Sequence, residues 1–420
     1  MRQAQLDSHS YPTSFKIIGG TYEKLLYGLD VCVSASNDDR LQFTLSPIFA
    51  FPAHVSCIKA VAASPRGGKW LATGSADEII KVWDLRRRKE VGGLMHHQGS
   101  LRFPTFGPAL LPDARSPPPP PLTGSITHLH FPSRSHLLSA SEDGTLCLFH
   151  ARDWTVLRVM KGHKARINAV AIHPSGKVAL SVGKDRTLRM WDFMRGKGVA
   201  STKLGKEGET VRWSTDGSVF VVQSGCTMDI YDVAMKLLHT ITHPSRLHDV
   251  QFSTRASGQG QLLLAGAEDK RLAIYQISQD PTTPPYLIAE MIGHERRVKA
   301  IQTIAIQLPP ALASLDPLKR KTTVVVCTVS SDGKIRVFDL ASLPLPEEGK
   351  EGPVQIGPLA EYDTKGTRLT CIALADGDEV SDRVGKRQRE RDDESEGGSN
   401  VGEEQEVEWQ GLDENEGECD

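Results

Sequence analysis

The sequence predicts an all-β protein, a seven-bladed β-propeller whose ring is closed by a blade shared between the two chain termini. Three observations predict it: a unit of short apolar strands recurs along the chain, its turn residues recur at similar offsets, and the two chain ends contain the strands of one further unit. The units are spaced at roughly the 40 to 45 residues of a four-stranded blade. The 420 residues are therefore predicted to form one repeat array rather than several ordinary domains.

The clearest unit runs from His163 to Asp192 and reads HKARINAVAIHPSGKVALSVGKDRTLRMWD. It contains an alternating apolar strand, a Pro-Ser-Gly turn, a second strand, a tight turn and a third strand that ends in Trp-Asp. This is the pattern of a WD repeat. Five other units follow the pattern less closely, and they lie at 54–84, 125–149, 207–232, 243–275 and 294–339.

The chain ends supply the seventh blade. FKIIGGTYEKLLYGLDV and LQFTLSPIFAFPAH near the N-terminus resemble second, third and outer strands, whereas RLTCIALA at 368–375 resembles an inner first strand. A blade shared between the termini removes exposed sheet edges and ties the ring shut.

A recurring set of polar residues is predicted to hold the blades together. In the clearest unit the set is His163, Ser181, Asp185 and Trp191, in which the buried Asp accepts hydrogen bonds from backbone N–H groups and from the His, and the His contacts the Ser. The other units contribute the candidate members His54, Thr73, Asp77, Trp83, Asp143, Asp269, His294 and Asp332. A Ser-His-Asp group also suggests a hydrolase triad. Because the group recurs and no GxSxG elbow accompanies it, we predict a protein that is not an enzyme and has no catalytic residues.

Two insertions and a tail depart from the repeat. The first insertion, at about 100–124, has a five-proline run that cannot pair within a sheet and is predicted to be a surface loop, with a docking peptide for an SH3 or WW domain as the alternative. The second, at about 305–322, splits the sixth unit between its first two strands. The predicted propeller spans 1–375, and a disordered tail at 376–420 is first basic and then acidic.

Charge divides the chain unevenly. The whole carries 50 basic and 52 acidic residues, but 18 acidic and 5 basic residues lie from Asp376 onward, which leaves 45 basic and 34 acidic residues in the rest. A basic body favours partners with negative surfaces, nucleic acid among them, and the alternative is an ordinary soluble surface with scattered Lys and Arg. In the tail, KRQRER resembles a nuclear-import signal, and its candidate residues are Lys386, Arg387, Arg389 and Arg391. The acidic segment behind it suits basic partners such as ribosomal proteins or serves only to keep the protein soluble.

Other classes of function find no support in the sequence. The seven cysteines are scattered singly, without a CxxC pair or zinc spacing. The N-terminus lacks the apolar segment of a secretory signal, and no stretch approaches the length needed to cross a bilayer. We therefore predict a nuclear or cytosolic protein with no cofactor, no metal, no membrane partner and no small-molecule substrate.

Several stretches resemble a narrower family. GGTYEKLLYGLDV, SADEIIKVWDLRRRKEVGGLMHHQG, HLLSASEDGTLCLF and HKARINAVAIHPSGKVALSVGKDRTLRMWDFMRGKGV are similar to the PAK-interacting WD-repeat family, which includes the fungal maintenance-of-killer WD protein. LSVGKDRTLRMW is the most specific, because generic repeats usually carry S-x-D at this turn. The resemblance spans nearly all of positions 15–375, but Cys226 and Thr227 stand in the fourth unit where the turn Asp is expected, so its polar set is predicted to be incomplete.

The resemblance implies a nucleolar protein that acts in assembly of the large ribosomal subunit. Its implied partners are proteins of the pre-ribosomal particle and ribosomal RNA, and its implied location is the nucleus and nucleolus. The animal branch of the family implies an alternative, a signalling adaptor that binds and negatively regulates a p21-activated protein kinase.

Basic residues of the third and sixth units are predicted to bind the partner. In a propeller, the loop before the first strand of each blade and the turn between its second and third strands gather at one end of the central channel. The candidate partner-binding residues in these places are Arg166, Lys184, Arg186, Arg296 and Arg297. The planar fork of Arg fits a carboxylate or phosphate. In the alternative, these side chains are solvated or pair with Glu142, Glu268 and Glu295.

Overall fold

A computed structural model describes residues 11–36, 40–65, 67–94, 124–193, 195–255, 260–278, 280, 282–315, 321–343 and 352–377. In this part of the chain, 29 strands form seven sheets, and the inner strand of each sheet contacts the inner strands of its two neighbours. The predicted seven-bladed propeller is thereby confirmed. The import-like run, the acidic tail and residues 100–123 of the proline-rich insertion lie outside the described residues.

Each blade is a meander of antiparallel strands, and the strands are numbered in chain order. The chain opens with three strands of the closing blade: β1 (Ser14–Thr21), β2 (Leu25–Ala35) and β3 (Leu41–Pro52). Blade 1 contains β4 (Ile58–Ala63), β5 (Trp70–Ser75), β6 (Ile80–Asp84) and β7 (Lys89–Leu94). Blade 2 contains β8 (Ile126–Ser133), β9 (His136–Ser141), β10 (Thr145–His150) and β11 (Val156–Lys161). Blade 3 contains β12 (Ile167–Ile172), β13 (Val178–Gly183), β14 (Thr187–Asp192) and β15 (Lys197–Lys203).

The remaining blades follow the same order. Blade 4 contains β16 (Thr210–Trp213), β17 (Val219–Ser224), β18 (Thr227–Asp232) and β19 (Leu237–Thr242). Blade 5 contains β20 (Leu247–Thr254), β21 (Gln261–Ala267), β22 (Leu272–Ile277) and β23 (Tyr286–Met291). Blade 6 begins with β24 (Val298–Gln307), β25 (Thr322–Ser330) and β26 (Lys334–Asp339). The last three strands are β27 (Val354–Ile356), β28 (Ala360–Asp363), which is the outer strand of blade 6, and β29 (Leu369–Asp376).

The two chain ends close the ring in one sheet. The order of the closing blade is β29-β1-β2-β3, so the last strand of the chain is its innermost strand. Phe15 pairs with Asp376 and Gly20 with Cys371 along an antiparallel ladder. Phe15 and Ile17 are fully buried in a cluster with side chains of β29 and of blade 6. This confirms the predicted ring closure.

Blades 5 and 6 contain features that the repeat pattern did not predict. β27 pairs in parallel with β23 and gives blade 5 a fifth strand, although this segment lies between the third and outer strands of blade 6. It covers the outer edge of blade 5, which would otherwise present unpaired backbone groups. Between β24 and β25, the segment 308–321 contains a short helix, α1 (Pro310–Leu315), and a 3-10 turn follows β26 at Leu340–Ser342.

Each blade has two different ends. The turn between its second and third strands and the loop before its first strand lie at one end, which we call the tetrad end. The turns between its first and second and between its third and fourth strands lie at the other, the opposite end. This assignment follows from the antiparallel strand order of every blade.

Candidate functional site

The predicted polar tetrad is present in blades 1 and 3. In blade 3, His163 Nδ1 lies 2.9 Å from Asp185 Oδ2 and His163 Nε2 lies 2.7 Å from Ser181 Oγ, while Trp191 Nε1 donates to the same hydroxyl at 2.7 Å. In blade 1, His54 lies 3.0 Å from Asp77 and 2.8 Å from Thr73. Trp83 donates to Thr73 at 3.0 Å. Both tetrads tie the loop before the first strand to the second and third strands.

Burial fixes the protonation of these histidines. Desolvation lowers the pKa of His163 below its ordinary value, although Asp185 opposes this effect. A neutral imidazole has one N–H, and since Asp185 only accepts, that N–H lies on Nδ1 and Nε2 accepts the Ser181 hydroxyl proton. The serine therefore donates to the histidine and accepts from Trp191.

The same geometry argues against a hydrolase triad. Ser181 is fully buried, and its oxygen is already bonded to both the imidazole and the indole. Attack on a substrate would require the serine to leave the core of the blade. The tetrad therefore acts as a structural clasp.

Blade 5 uses a tyrosine version of the tetrad. Asp269 lies at the expected turn, where it contacts His243 Nε2 at 3.0 Å, while His243 Nδ1 lies 3.0 Å from the Tyr275 hydroxyl. The serine position is Ala265, so the tyrosine hydroxyl takes over both the serine and the tryptophan contacts. The sequence analysis did not include His243 in the polar set. The signal that could have found it is its place as the first residue of the unit, directly before Pro244.

Blade 6 places an arginine between the predicted His and Asp. Arg336 Nη1 donates to His294 Nδ1 at 2.7 Å and to Asp332 Oδ2 at 3.0 Å, and His294 Nε2 contacts Thr328 Oγ1 at 3.2 Å. Arg336 Nε also forms an ion pair with Glu361 Oε2 at 2.7 Å. Desolvation and then the charge of Arg336 lower the pKa of His294 to about 4. His294 and Asp332 are therefore linked through a buried cation rather than directly.

Blades 2 and 4 have reduced sets. Asp143 accepts hydrogen bonds from the backbone N–H and hydroxyl of Thr145, and no described histidine reaches it. In blade 4, which lacks the turn Asp, Gln223 Nε2 donates to the carbonyls of Gly225 and Leu247 and to Glu209. The Gln223 amide therefore links blade 4 to Leu247 of blade 5. It provides hydrogen bonds in a blade that has Cys226 where the turn Asp is expected.

The predicted partner-binding residues all lie at the tetrad end but in two separate groups. Arg166, Lys184 and Arg186 lie on blade 3, where the Lys184 N–H donates to the Arg166 carbonyl. Arg296 and Arg297 lie on blade 6, three positions away in a ring of seven. The two groups therefore face each other across the channel mouth instead of forming one patch.

Two of the five predicted partner-binding residues have ion-pair partners, and the other three have none in the described part of the chain. Arg166 lies 3.7 Å from Glu207 and Arg297 lies 4.0 Å from Glu268. Glu142 and Glu295, which the alternative assigned to these arginines, instead form ion pairs with lysines, Lys59 and Lys334 respectively. Lys184, Arg186 and Arg296 are exposed and have no ion-pair partner among the described residues.

The backbone at Arg186 is left-handed, as it is after every turn Asp. Blades 2 and 6 place Gly144 and Gly333 at this position, whereas blades 1 and 5 place Glu78 and Lys270 there, both with a φ of 68°. Arg186 has a φ of 59°, a left-handed conformation that costs a residue with a Cβ about 1–2 kcal/mol. The chain thus holds an exposed cation at a position where glycine would be more stable.

Charged groups also line the channel itself. Arg212 on blade 4 donates to Asp249 at 3.1 Å and to Gln251 at 3.2 Å on blade 5. Desolvation and then Arg212 lower the pKa of His130, on blade 2, to about 4, and the same two causes depress the pKa of His128 strongly. Arg212, His128 and His130 all lie on the inner strands of their blades, β16 and β8.

The buried histidines of blades 1, 3 and 6 predict that the protein is destabilised by mild acid. The folded pKa values of His54, His163 and His294 lie below the ordinary 6.5, so the unfolded chain takes up protons first as the pH falls. The free energy of unfolding is therefore full above about pH 6.5 and declines towards pH 4. Thermal melts should show a Tm that falls steadily through this range. A Tm that stays constant between pH 7 and pH 5 would contradict the neutral, buried assignment.

Metal-binding and membrane-spanning features are absent from the same described ranges. No cluster of three or more His, Cys, Asp or Glu side chains is arranged to hold a metal ion there. No described helix has the length and apolar character needed to cross a membrane.

Comparison with known proteins places this architecture among WD-repeat proteins. The family model for the WD domain, G-beta repeat, matches residues 45–84, 120–150 and 154–192. The chain is 29% identical over 360 residues to a p21-activated protein kinase-interacting protein 1-like protein of Danio rerio, covering 86% of this chain and 80% of the relative. It is 30% identical over 374 residues to the protein of the same name of Gallus gallus, covering 88% and 84%. It is also 30% identical over 387 residues to Protein MAK11 of Saccharomyces cerevisiae, covering 86% and 83%.

Proposed function

The chain belongs to the WD-repeat family of the p21-activated protein kinase-interacting proteins and Protein MAK11, and from this premise we propose that it is a non-catalytic scaffold for assembly of the large ribosomal subunit. In this role it associates with the pre-ribosomal particle in the nucleolus and supports maturation of its RNA. The partners are pre-ribosomal proteins and ribosomal RNA.

The observation that carries the proposal is the turn of blade 3. The stretch LSVGKDRTLRMW, on which the family resemblance depends most, places Ser181 and Asp185 in the buried tetrad and Lys184 and Arg186 on the surface. At this turn Gly183 stands where generic repeats carry Ser, and the exposed neighbours of the turn Asp are both cations. Exposed Lys and Arg side chains at this turn are suited to an anionic partner.

The scaffold role is supported by the absence of an accessible reactive group at the described tetrads. Ser181 and Thr73 are both fully buried and bonded. A rigid ring whose blades differ in surface charge can hold several partners at once, which suits assembly of a large particle.

A second function is favoured by the names of two relatives. The Danio rerio and Gallus gallus proteins are named for interaction with a p21-activated protein kinase. In this alternative the chain is an adaptor that binds and negatively regulates such a kinase. The tetrad-end cations then contact an acidic segment of the kinase instead of a pre-ribosomal component.

Co-sedimentation tests the proposed function. Tagged full-length protein in a nuclear extract should sediment with particles that contain large-subunit RNA precursors, and ribonuclease should shift it to lighter fractions. The triple variant Arg166→Glu, Lys184→Glu and Arg296→Glu should lose at least half of this association at an unchanged Tm. A matched control, Arg40→Glu, Lys236→Glu and Lys321→Glu, changes three exposed cations at the opposite end of the closing blade and of blades 4 and 6, and it should behave as wild type. Capture of a p21-activated kinase, with no precursor RNA, would favour the adaptor.

A further inference from the structure

The opposite end of blades 1 to 3 carries a second and larger set of cations. All of them are exposed and lie in or beside the turns of this end. They are Lys69, Arg86, Arg87, Arg88, Lys89, Arg134, Arg152, Lys177, Arg195 and Lys197, and together we call them the basic crescent. These ten residues belong to none of the partner-binding positions described above.

The crescent is continuous from one blade to the next. Arg86 Nη2 of blade 1 donates to the carbonyl of Gly67 at 3.3 Å. The guanidinium groups of Arg86 and of Arg134, in blade 2, both approach Gly67. The Cβ that another residue would have at this position would lie 3.1 Å from Arg86 Nη2 and 3.8 Å from Arg134 Nη2. Arg158 of β11 packs in the same way against Gly196, within the turn of blade 3 that carries Arg195 and Lys197.

The acidic side chains of the turns in blades 1 and 2 are occupied by local hydrogen bonds. Asp84 Oδ1 accepts the backbone N–H groups of Arg86 and Arg87. Asp153 Oδ1 accepts from Thr155 and contacts His150. These carboxylates shape the turns rather than neutralise the arginine side chains.

The turn of blade 3 follows the same pattern. Asp192 Oδ1 accepts the backbone N–H of Arg195, and its other carboxylate oxygen lies 3.7 Å from Arg195 Nε. The Arg195 side chain is nevertheless 82% exposed, so this contact leaves most of the guanidinium open to solvent. The positive charge of the crescent is therefore directed outward on all three blades.

The turns beneath the crescent are rigid. Trp70 of blade 1 and Trp154 of blade 2 meet edge to face with ring centroids 5.5 Å apart, and Trp154 is buried although it stands at a φ of 55°. Lys69 Nζ lies 4.3 Å above the Trp70 ring. A surface held in this way loses little conformational entropy when it binds.

The chemistry of the crescent fits a phosphate backbone. Protein interfaces depend on a few buried aromatic or apolar anchors, whereas nucleic-acid interfaces are polar and strongly positive. Among the described residues of blades 1 to 3, no large apolar side chain is exposed within the turns of this end, and the exposed Leu157 and Val199 lie singly on the outer strands beside them. Binding of single strands also requires exposed aromatic rings on which bases stack, and both tryptophans there are covered.

We propose that the basic crescent binds the backbone of double-helical RNA, with little preference for sequence. Contacts to phosphates and 2′-hydroxyls are the usual means by which proteins recognise such RNA. The proposal names the surface through which the proposed scaffold contacts RNA, and the choice of RNA over DNA rests on that proposed function. It assigns to the opposite end a contact separate from that of the tetrad end.

The test is binding of a fluorescent RNA hairpin of about 20 base pairs by the full chain at several salt concentrations. The variant Arg86→Glu, Arg134→Glu, Lys177→Glu and Arg195→Glu should weaken binding at least tenfold and flatten the slope of log affinity against log salt by about 3. The neutral variant with Gln at the same four positions should give a smaller loss in the same direction. The matched control Arg40→Glu, Lys236→Glu, Lys270→Glu and Lys321→Glu changes the same charge at four exposed positions outside the crescent and outside the partner-binding positions, and it should alter affinity less than threefold.

Other outcomes would overturn the proposal. These are failure of the wild-type protein to bind the hairpin, equal losses in the crescent and control variants, and capture by the crescent of an acidic peptide with the sequence of residues 392–420 but not of RNA. If the wild-type protein binds RNA through the crescent and yet never sediments with large-subunit precursors, the proposed function fails while the RNA-binding surface stands. If it sediments normally and the crescent variant keeps its RNA affinity, only the RNA-binding surface fails.

Discussion

Removal of residues 1–35 is expected to abolish the folded state. The deletion takes away β1 and β2, so β29 loses its partner and β3 is left without a sheet. Phe15, Ile17 and Ile18 are buried to at least 99%, and full burial of each such side chain contributes about 1.5–3 kcal/mol. Together with two exposed strand edges, this loss reaches the roughly 5–15 kcal/mol that separates folded from unfolded domains. The variant should be insoluble or should unfold without a cooperative transition.

Two shorter deletions control for this result. Removal of residues 1–10, which precede β1, should leave the Tm near that of the wild type, and so should a chain that ends at Gly377. Soluble expression of the 1–35 deletion with a sharp, near-wild-type melting transition would contradict ring closure by the shared blade.

Replacement of Arg336 by Ala is expected to destabilise the protein by about 3–5 kcal/mol, because it leaves buried charge without its counterion. Arg336 is 1% exposed and is bonded to His294, Asp332 and Glu361. Its removal deprives the two carboxylates of a cation and the imidazole of its donor. Since the charge of Arg336 helps to lower the pKa of His294, that pKa should rise in the variant.

Lys334→Ala is the matched control for this substitution. Lys334 lies two residues away on the same strand and forms ion pairs with Glu295 and Glu361 near the surface, at 3.1 and 2.9 Å. Exposed pairs of this kind contribute under about 1 kcal/mol. Chemical denaturation of both variants gives the comparison. Equal, small losses would show that the buried arginine is not what holds blade 6 together.

The sequence predicted the ring because its strongest signals are local and repeated. Alternating strands and the turn Asp residues recur in most units, and the fragments at 15–54 and 368–375 are recognisable as strands of one blade even though they are far apart in the chain. The tetrads of blades 1 and 3 follow from the same spacing. β27 was missed because it pairs with a neighbouring blade, and a three-residue strand carries no periodicity of its own.

The site was harder to predict because its residues depend on neighbours in space. Arg336 stands four residues after the turn Asp, where blade 3 has Arg189, but only the fold shows that it intervenes between His294 and Asp332. The pairing of Arg166 with Glu207, in the loop before blade 4, is equally invisible in the sequence. The sequence shows the run Arg86 to Lys89 as a further candidate contact, but it does not predict the whole basic crescent, because the other members are scattered over more than a hundred residues and meet only when blades 1 to 3 stand side by side.

Depletion of the protein from growing cells, followed by pulse-labelling of ribosomal RNA, tests the central claim most directly. A scaffold for large-subunit assembly predicts that precursors of large-subunit RNA accumulate or decay, that free small subunits increase, and that small-subunit RNA matures at its normal rate. The wild-type chain should restore the pattern and the combined tetrad-end and crescent variants should not. Normal maturation of both subunits after complete depletion, with raised activity of a p21-activated kinase, would contradict the claim and establish the adaptor in its place.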